Sequence, residues 1–195
     1  MPLISTLAGS SARGLGGMRT FTPASALSYD SIATTTLTAS TPSITFSAIS
    51  ASYSHLQIRG TIIGTNATQT GSTTFQINGD TGANYTRHQL GGGGATAFGY
   101  ASVSQTAIYV YGYNDNLNNV TPQSFIIDIL DYANTNKYKT VRTLSGSERN
   151  GTSPYGDINL VSGMWMNTNA ITSLVISVGG QNMGQYSQIA LYGVK

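Results

Sequence analysis

His55-Leu56-Gln57-Ile58-Arg59-Gly60-Thr61-Ile62 is the stretch that decides the architecture. Successive side chains of a strand point to opposite faces, so Leu56, Ile58 and Ile62 share one side while Gln57, Arg59 and Thr61 share the other. A helix would scatter these apolar residues around its circumference, and the period of two therefore selects a half-buried β-strand. The same alternation sets Leu174, Ile176 and Val178 against Ser173, Ser177 and Gly179, although Val175 blurs the polar side. Phe125-Ile126-Ile127-Asp128-Ile129-Leu130 is apolar on both sides and is expected as a central strand covered on both faces, with Asp128 as its only charge. A buried carboxylate is costly unless a donor holds it, so Arg59 and Arg142 are the expected partners of Asp128 in a structural ion pair.

Working outward, runs of β-branched and aromatic residues recur after residue 28, separated by Gly, Asn, Asp, Ser and Pro. They predict strands at residues 31–38, 43–48, 55–63, 73–78, 85–90, 105–113, 124–130, 138–145, 157–167, 173–178 and 187–194. No helical period of useful length appears. The expected fold is all-β, an antiparallel β-sandwich of jelly-roll-like type over residues 29–195. Residues 1–28 differ in kind. Leu7-Ala8-Gly9-Ser10-Ser11-Ala12-Arg13-Gly14-Leu15-Gly16-Gly17-Met18 is small, Gly-rich and without period, and it should not fold alone. Leu3, Ile4, Leu7, Arg13, Leu15, Met18 and Phe21 make it an extended anchoring arm that orders on a partner; the plain alternative is a loose terminus.

Composition narrows the function. The chain has 195 residues, enough for one domain with a tethering arm. Only 8% of residues are charged, against about 25% in a typical soluble domain. Neutral hydrogen-bonding groups must therefore cover most of the surface, as in a chain that packs against copies or partners. The net charge of +2 comes from nine Lys and Arg scattered against seven acids. The densest basic cluster, Lys137, Lys139 and Arg142, splits over both faces of a strand and is expected to be solvated; no nucleic-acid partner is implied. There is no cysteine, hence no disulfide and no thiolate metal site. The N-terminus is too short and too weakly apolar to be a membrane span and lacks the basic start of a signal peptide.

No catalytic constellation emerges. His55 and His88 lie in or beside strands without a nucleophile motif, and Asp128 and Asp131 point to opposite faces, so they cannot flank one glycosidic bond. Asn78-Gly79-Asp80-Thr81-Gly82-Ala83-Asn84 is expected as a hairpin connection, since a calcium loop would need more acids than Asp80. Gly91-Gly92-Gly93-Gly94 lacks the Lys-Ser/Thr of a phosphate loop and is expected as a flexible connection. No catalytic residue, cofactor or metal site is assigned. Tyr109, Tyr111 and Tyr113, on one face of a predicted strand, could stack on a glycan or pack at a subunit interface, and the interface is preferred.

Asn78-Gly79-Asp80-Thr81-Gly82-Ala83-Asn84-Tyr85 and the segment from Asp128 through Asp131-Tyr132-Ala133-Asn134-Thr135-Asn136-Lys137 to Arg142 resemble a family of β-rich virion structural proteins of tailed phages, notably those of marine bacteria and cyanobacteria. Tyr29-Asp30-Ser31-Ile32-Ala33-Thr34, Gly163-Met164-Trp165 and the closing Ala190-Leu191-Tyr192-Gly193-Val194-Lys195 fit the same pattern, and Ser11-Ala12-Arg13-Gly14-Leu15-Gly16 resembles arms of phage appendage proteins. The resemblance carries no catalytic motif. It implies a capsid-decoration or cement protein joined to other virion proteins through its arm, a homo-oligomer such as a trimer, located in the virion and assembled in the host bacterial cytoplasm. The runner-up is a tail or head fibre that recognises host surface glycans.

Overall fold

A computed structural model describes residues 28–67, 71–110, 117–148 and 156–195. The chain is all-β: twelve strands in these segments form two antiparallel sheets. They are β1 (Tyr29–Thr36), β2 (Ser43–Phe46), β3 (His55–Ile62), β4 (Thr73–Ile77), β5 (Tyr85–Gly93), β6 (Thr96–Gln105), β7 (Ile108–Tyr109), β8 (Gln123–Leu130), β9 (Lys139–Ser147), β10 (Asp157–Trp165), β11 (Leu174–Val178) and β12 (Gln188–Val194). The large sheet runs β1-β12-β3-β8-β9-β10-β5-β6 and the small one β2-β11-β4-β7. The antiparallel sandwich expected from the alternating runs is therefore what forms. The agreement extends to the sandwich and not to the jelly-roll winding.

One core holds the sheets together. Leu56, Ile58, Ile127, Ile129, Val141, Val161 and Trp165 from the large sheet join Phe46, Phe75, Ile77, Ile108, Leu174 and Ile176 from the small one, all buried in one cluster. Removing a Leu, Ile or Phe side chain of this kind from water contributes about 1.5–3 kcal/mol. The burial of β3 follows its sequence pattern, with Leu56, Ile58 and Ile62 inward and Arg59 and Thr61 outward. Gln57 is an exception: it lies on the outer side, yet is buried there.

Three expectations are corrected. The central strand β8 is not covered on both faces: Phe125, Ile127 and Ile129 are buried, whereas Ile126 and Leu130 are exposed. Residues 78–84 are not a hairpin connection, because they lead from β4 in the small sheet to β5 in the large one. The glycine run is not a loose connection either. Gly91, Gly92 and Gly93 pair with Asn159, Ile158 and Asp157 of β10 and with Phe98, Ala97 and Thr96 of β6. A Cβ on Gly91 would lie 2.3 Å from the Phe98 ring, so the missing side chain is the space that the ring fills. Gly60 serves Phe125 in the same way, again at 2.3 Å; such pairing of an aromatic with a strand glycine compensates for the glycine's lack of packing. Strand β6 was not foreseen, because Ala, Gly and Ser dominate it and it is mostly exposed at the sheet edge.

Candidate functional site

Strand β10 sets the geometry of the site. Val161 and Trp165 face the core, which forces every residue of the same parity inward and the alternate ones outward. Inward therefore go Asp157 and Asn159; outward go Ile158 and Leu160. On β9 the inward Val141 carries Thr143, Ser145 and Ser147 with it and leaves Leu144 outside. On β5 the inward Tyr85 carries Arg87 and Gln89 and leaves Leu90 outside. Over this part of the large sheet, polar side chains are buried and aliphatic ones face out.

The outward aliphatics are in register. Ile126 pairs with Leu144, Leu144 with Leu160 and Leu160 with Leu90, a cross-strand row over β8, β9, β10 and β5. Their exposures are 38%, 47%, 52% and 62%, and Ile158 beside them is 58% exposed. Arg59 continues the row on β3, opposite Ile126. Its guanidinium lies 5.0 Å from the centre of the Tyr29 ring and 5.1 Å from that of Tyr192. A groove of about 700 Å³ covers the Arg59, Ile126 and Leu144 end of the row, lined also by Glu148, Ile158 and Tyr192, and does not reach Leu160 or Leu90. Adjacent exposed aliphatics of this kind mark a surface made to be covered.

Beneath the row lies a polar layer. The Gln89 amide donates to Asn159 Oδ1 at 2.6 Å, Ser145 Oγ donates to the Val110 carbonyl at 2.8 Å, and Thr73 Oγ1 donates to Gln123 Oε1 at 3.2 Å. Arg87 is buried, with Nε donating to Ser102 Oγ at 3.2 Å and its guanidinium 4.1 Å from the Tyr109 ring centre and 4.9 Å from that of Tyr100. Among the described residues, Arg87 Nη1, Gln89 Oε1 and Gln123 Nε2 find no hydrogen-bond partner. A buried polar group left without any partner costs about 1–3 kcal/mol. Burial also raises the Asp157 carboxyl above the usual carboxylate range, with the Asn159 hydrogen bond opposing it.

The sequence candidates fall as follows. Leu3, Ile4, Leu7, Arg13, Leu15, Met18 and Phe21 lie outside the described residues, as do Tyr111 and Tyr113. Within the described part of the predicted strand 105–113, Gln105 ends β6 and Tyr109 ends the short β7, and the Tyr109 ring is engaged by Arg87. Asp128, Arg59 and Arg142 are brought together without an ion pair. Asp128 stands opposite Arg142 in register, but Gln57 Nε2 donates to its Oδ1 at 2.6 Å, and Arg59 Nε donates to Gln57 Oε1 at 2.6 Å. Among the described residues, ion pairs join Lys137 to Asp131 and Lys195 to Asp30, and none takes in Asp128. Because Asp128 lies on the outer side and is only partly buried, a neutral amide suffices to hold it.

The basic cluster is also corrected. Lys139 is not solvated but wholly buried, and its ammonium donates to the carbonyls of Asn134, Lys137 and Thr168. Burial, reinforced by the neighbouring Lys137 charge, draws it below the ordinary lysine range. Arg142 points outward and Lys137 is paired with Asp131, so the three do not make one basic surface. In the loop 78–84, Asp80 is saturated by donors: Gly82 N at 2.8 Å, the Asn84 amide at 3.0 Å and Trp165 Nε1 at 2.7 Å. The Trp165 bond, with those of Asn84 and Gly82, lowers its carboxyl below the usual range against some desolvation. Among the described residues no group of three or more His, Asp or Glu side chains is placed to hold a metal ion. His55 Nδ1 accepts from the Asp131 backbone at 3.0 Å, and His88 is exposed on β5.

The residues that the sequence did not single out are Leu90, Leu144, Ile158 and Leu160. Their alternation is plain in the sequence; what was missed is parity with Trp165 and Val141, which turns them outward. Among the described residues no helix is long and apolar enough to cross a membrane. Comparison with protein-family models, curated proteins and solved structures finds no match to this chain.

Proposed function

We propose that this chain is a non-catalytic structural subunit of a tailed-phage particle, a capsid-decoration or cement protein held to other virion proteins through its N-terminal arm. The observation that carries the reading is the row Ile126, Leu144, Leu160 and Leu90, set on a surface with few charges. An aliphatic row exposed above a buried polar layer is costly in an isolated domain and useful in one that is covered on assembly. The resemblance of the Asp128 to Arg142 segment and the Ser11-Ala12-Arg13-Gly14-Leu15-Gly16 arm to tailed-phage structural proteins gives the kind of assembly. The proposed partners are capsid or tail proteins and further copies of the chain, as in a trimer, within the virion.

Cryo-microscopy of intact particles tests this reading. Hundreds of copies on the shell, each with residues 1–28 against a neighbour, are expected; absence of the chain from purified particles would overturn it. A second reading, a tail or head fibre that binds host surface glycans, is favoured by the Tyr29, Arg59 and Tyr192 cluster at the groove, because aromatic faces stack on sugar rings. It requires few copies per particle, and glycan-array binding that Tyr192→Ala abolishes.

A further inference from the structure

Each sheet of the sandwich ends in two edge strands, and among the described strands three of these four edges are blunted. An edge strand offers its unpaired N–H and C=O groups to any other chain, and proteins restrain it by shortness, charge or a bulge. In the small sheet β2 has four residues and β7 only two. In the large sheet β1 carries Asp30, ion-paired to Lys195, near its start, and its register shifts between Ser31 and Ala33. The fourth edge, β6, is ten residues long and has neither a charge nor a proline. Its one irregularity in pairing with β5 falls near its end, where Ser104 takes a φ of +54°, so residues 96–102 run on in unbroken register. No described strand pairs with the outer side of β6.

The side chains of the strand do not shield that side. Phe98, Tyr100 and Ser102 stand opposite Gly91, Gln89 and Arg87 on the inner face, and all three are drawn back over β5: the Phe98 ring over Gly91, the Tyr100 ring against the Arg87 guanidinium, and Ser102 Oγ onto Arg87 Nε. Ala97, Gly99 and Ala101, which alternate with them, are exposed and too small to cover the backbone. Gln105 turns its amide onto the Val103 carbonyl at 2.9 Å, beyond the regular run.

We propose that two copies of this chain join through β6, antiparallel and about a twofold axis, into one continuous large sheet. An axis perpendicular to the sheet reverses the strand direction and keeps the inner side chains of both copies on the inner face, so a residue stands opposite one of its own parity. Full overlap of residues 96–102 puts the axis at Gly99. Ala97 then faces Ala101 of the other copy, and Phe98 faces Tyr100 of the other copy, an aromatic cross-strand pair that the symmetry makes twice. A second copy fits this edge because a run without charges brings no like charges together when it meets itself. The contact uses the edge of the sheet and not its outward row, so it stands independently of the structural-subunit reading and leaves the row for another partner.

The test follows the purified full chain by sedimentation equilibrium and amide hydrogen exchange over a range of concentrations. Expected is an equilibrium between monomer and dimer in which alternate amides of residues 96–102, fast in dilute solution, slow by about tenfold or more as the dimer forms. Ala101→Lys sets like charges close to the axis and should weaken the dimer by about tenfold or more with the circular dichroism of the sheets unchanged. Thr34→Lys, at an exposed position of the other edge, β1, should leave the dimer as it was. A monomer at every concentration, a dimer that Ala101→Lys leaves intact or that Thr34→Lys weakens as much, or amides equally fast in monomer and dimer would each overturn the proposal. Should Ala101→Lys not fold, Gly99→Cys decides: an added Cβ meets only the Gln89 backbone oxygen, at 3.8 Å, and oxidation should link two copies at this position, whereas the lack of a link would overturn the proposal. Absence of the chain from virions would leave this result standing.

Discussion

At one end of the large sheet Trp165 of β10 and Tyr85 of β5 point inward, and their polar tips are satisfied: Trp165 Nε1 by Asp80, Tyr85 Oη by the Ile77 and Asp80 backbones. At the other end β10 and β5, with β9 beside them, send Asn159, Gln89 and Ser145 inward and Leu160, Leu90 and Leu144 outward. Both ends obey one alternation, so the difference is not irregular pairing. A strand has a single parity, and the large core residues at one end fix which face the other end must show. Stability is concentrated where the packing is apolar and satisfied. The reversed end gives some of it up and presents a face suited to a partner.

The largest contrast comes from removing the keystone of the packed end. Trp165→Ala leaves a cavity and takes one of three donors from Asp80, and should cost about 3–5 kcal/mol in chemical denaturation. Trp165→Phe, which keeps the packing and loses the donor, should cost about 1–3 kcal/mol. A comparable loss from both would show that the hydrogen bond, and not the packing, holds this end.

At the reversed end the amide pair is the lever. Asn159→Leu alone strands the Gln89 amide and should cost about 1–3 kcal/mol. Adding Gln89→Met removes both polar partners and should bring stability back to within about 1.5 kcal/mol of the parent, because matched apolar replacement of a buried polar pair is nearly neutral. A double variant as unstable as the single one would mean that the polar layer supports the fold.

The two ends should also respond to acid with opposite signs. The folded Asp80 carboxyl lies below its unfolded value, so its contribution is present above the unfolded pKa and is lost as pH falls through the lowered folded value. The folded Asp157 carboxyl lies above its unfolded value; its contribution is full below the unfolded pKa and is lost as pH rises through the raised one. Asp80→Asn should therefore flatten the acid limb of a stability profile, and Asp157→Asn should raise stability at neutral pH relative to the parent.

The smallest effect belongs to the outward row. Leu144→Thr and Leu160→Thr touch no core and should each change stability by less than about 1 kcal/mol, while reducing binding of a hydrophobic dye or self-association.

Much of the fold was legible because alternation is a local property. His55 to Ile62, Leu174 to Val178 and the runs around them needed only the period of two. Strand β6 was hidden by its small residues, and its pairing became visible only once Gly91 and Phe98 were placed face to face. The site was less legible for a physical reason: alternation says that two faces differ and not which one is inside. Ile126, Leu144 and Leu160 look like core residues until Val141 and Trp165 fix the parity. Asp128 was rightly seen to need a donor, but Gln57 rather than an arginine supplies it, because the outer face leaves the carboxylate partly in water. Lys139 shows the reverse, a lysine that the sequence places in solvent and the loop carbonyls of Asn134, Lys137 and Thr168 enclose.

The reversal can be measured directly because the chain has no cysteine of its own. Asn159→Cys and Leu160→Cys are compared for thiol labelling under native conditions. Cys at 160 should react at the rate of an exposed thiol, and Cys at 159 only at the rate of unfolding. The opposite order would put Leu160 in the core and contradict both the outward row and every role assigned to it.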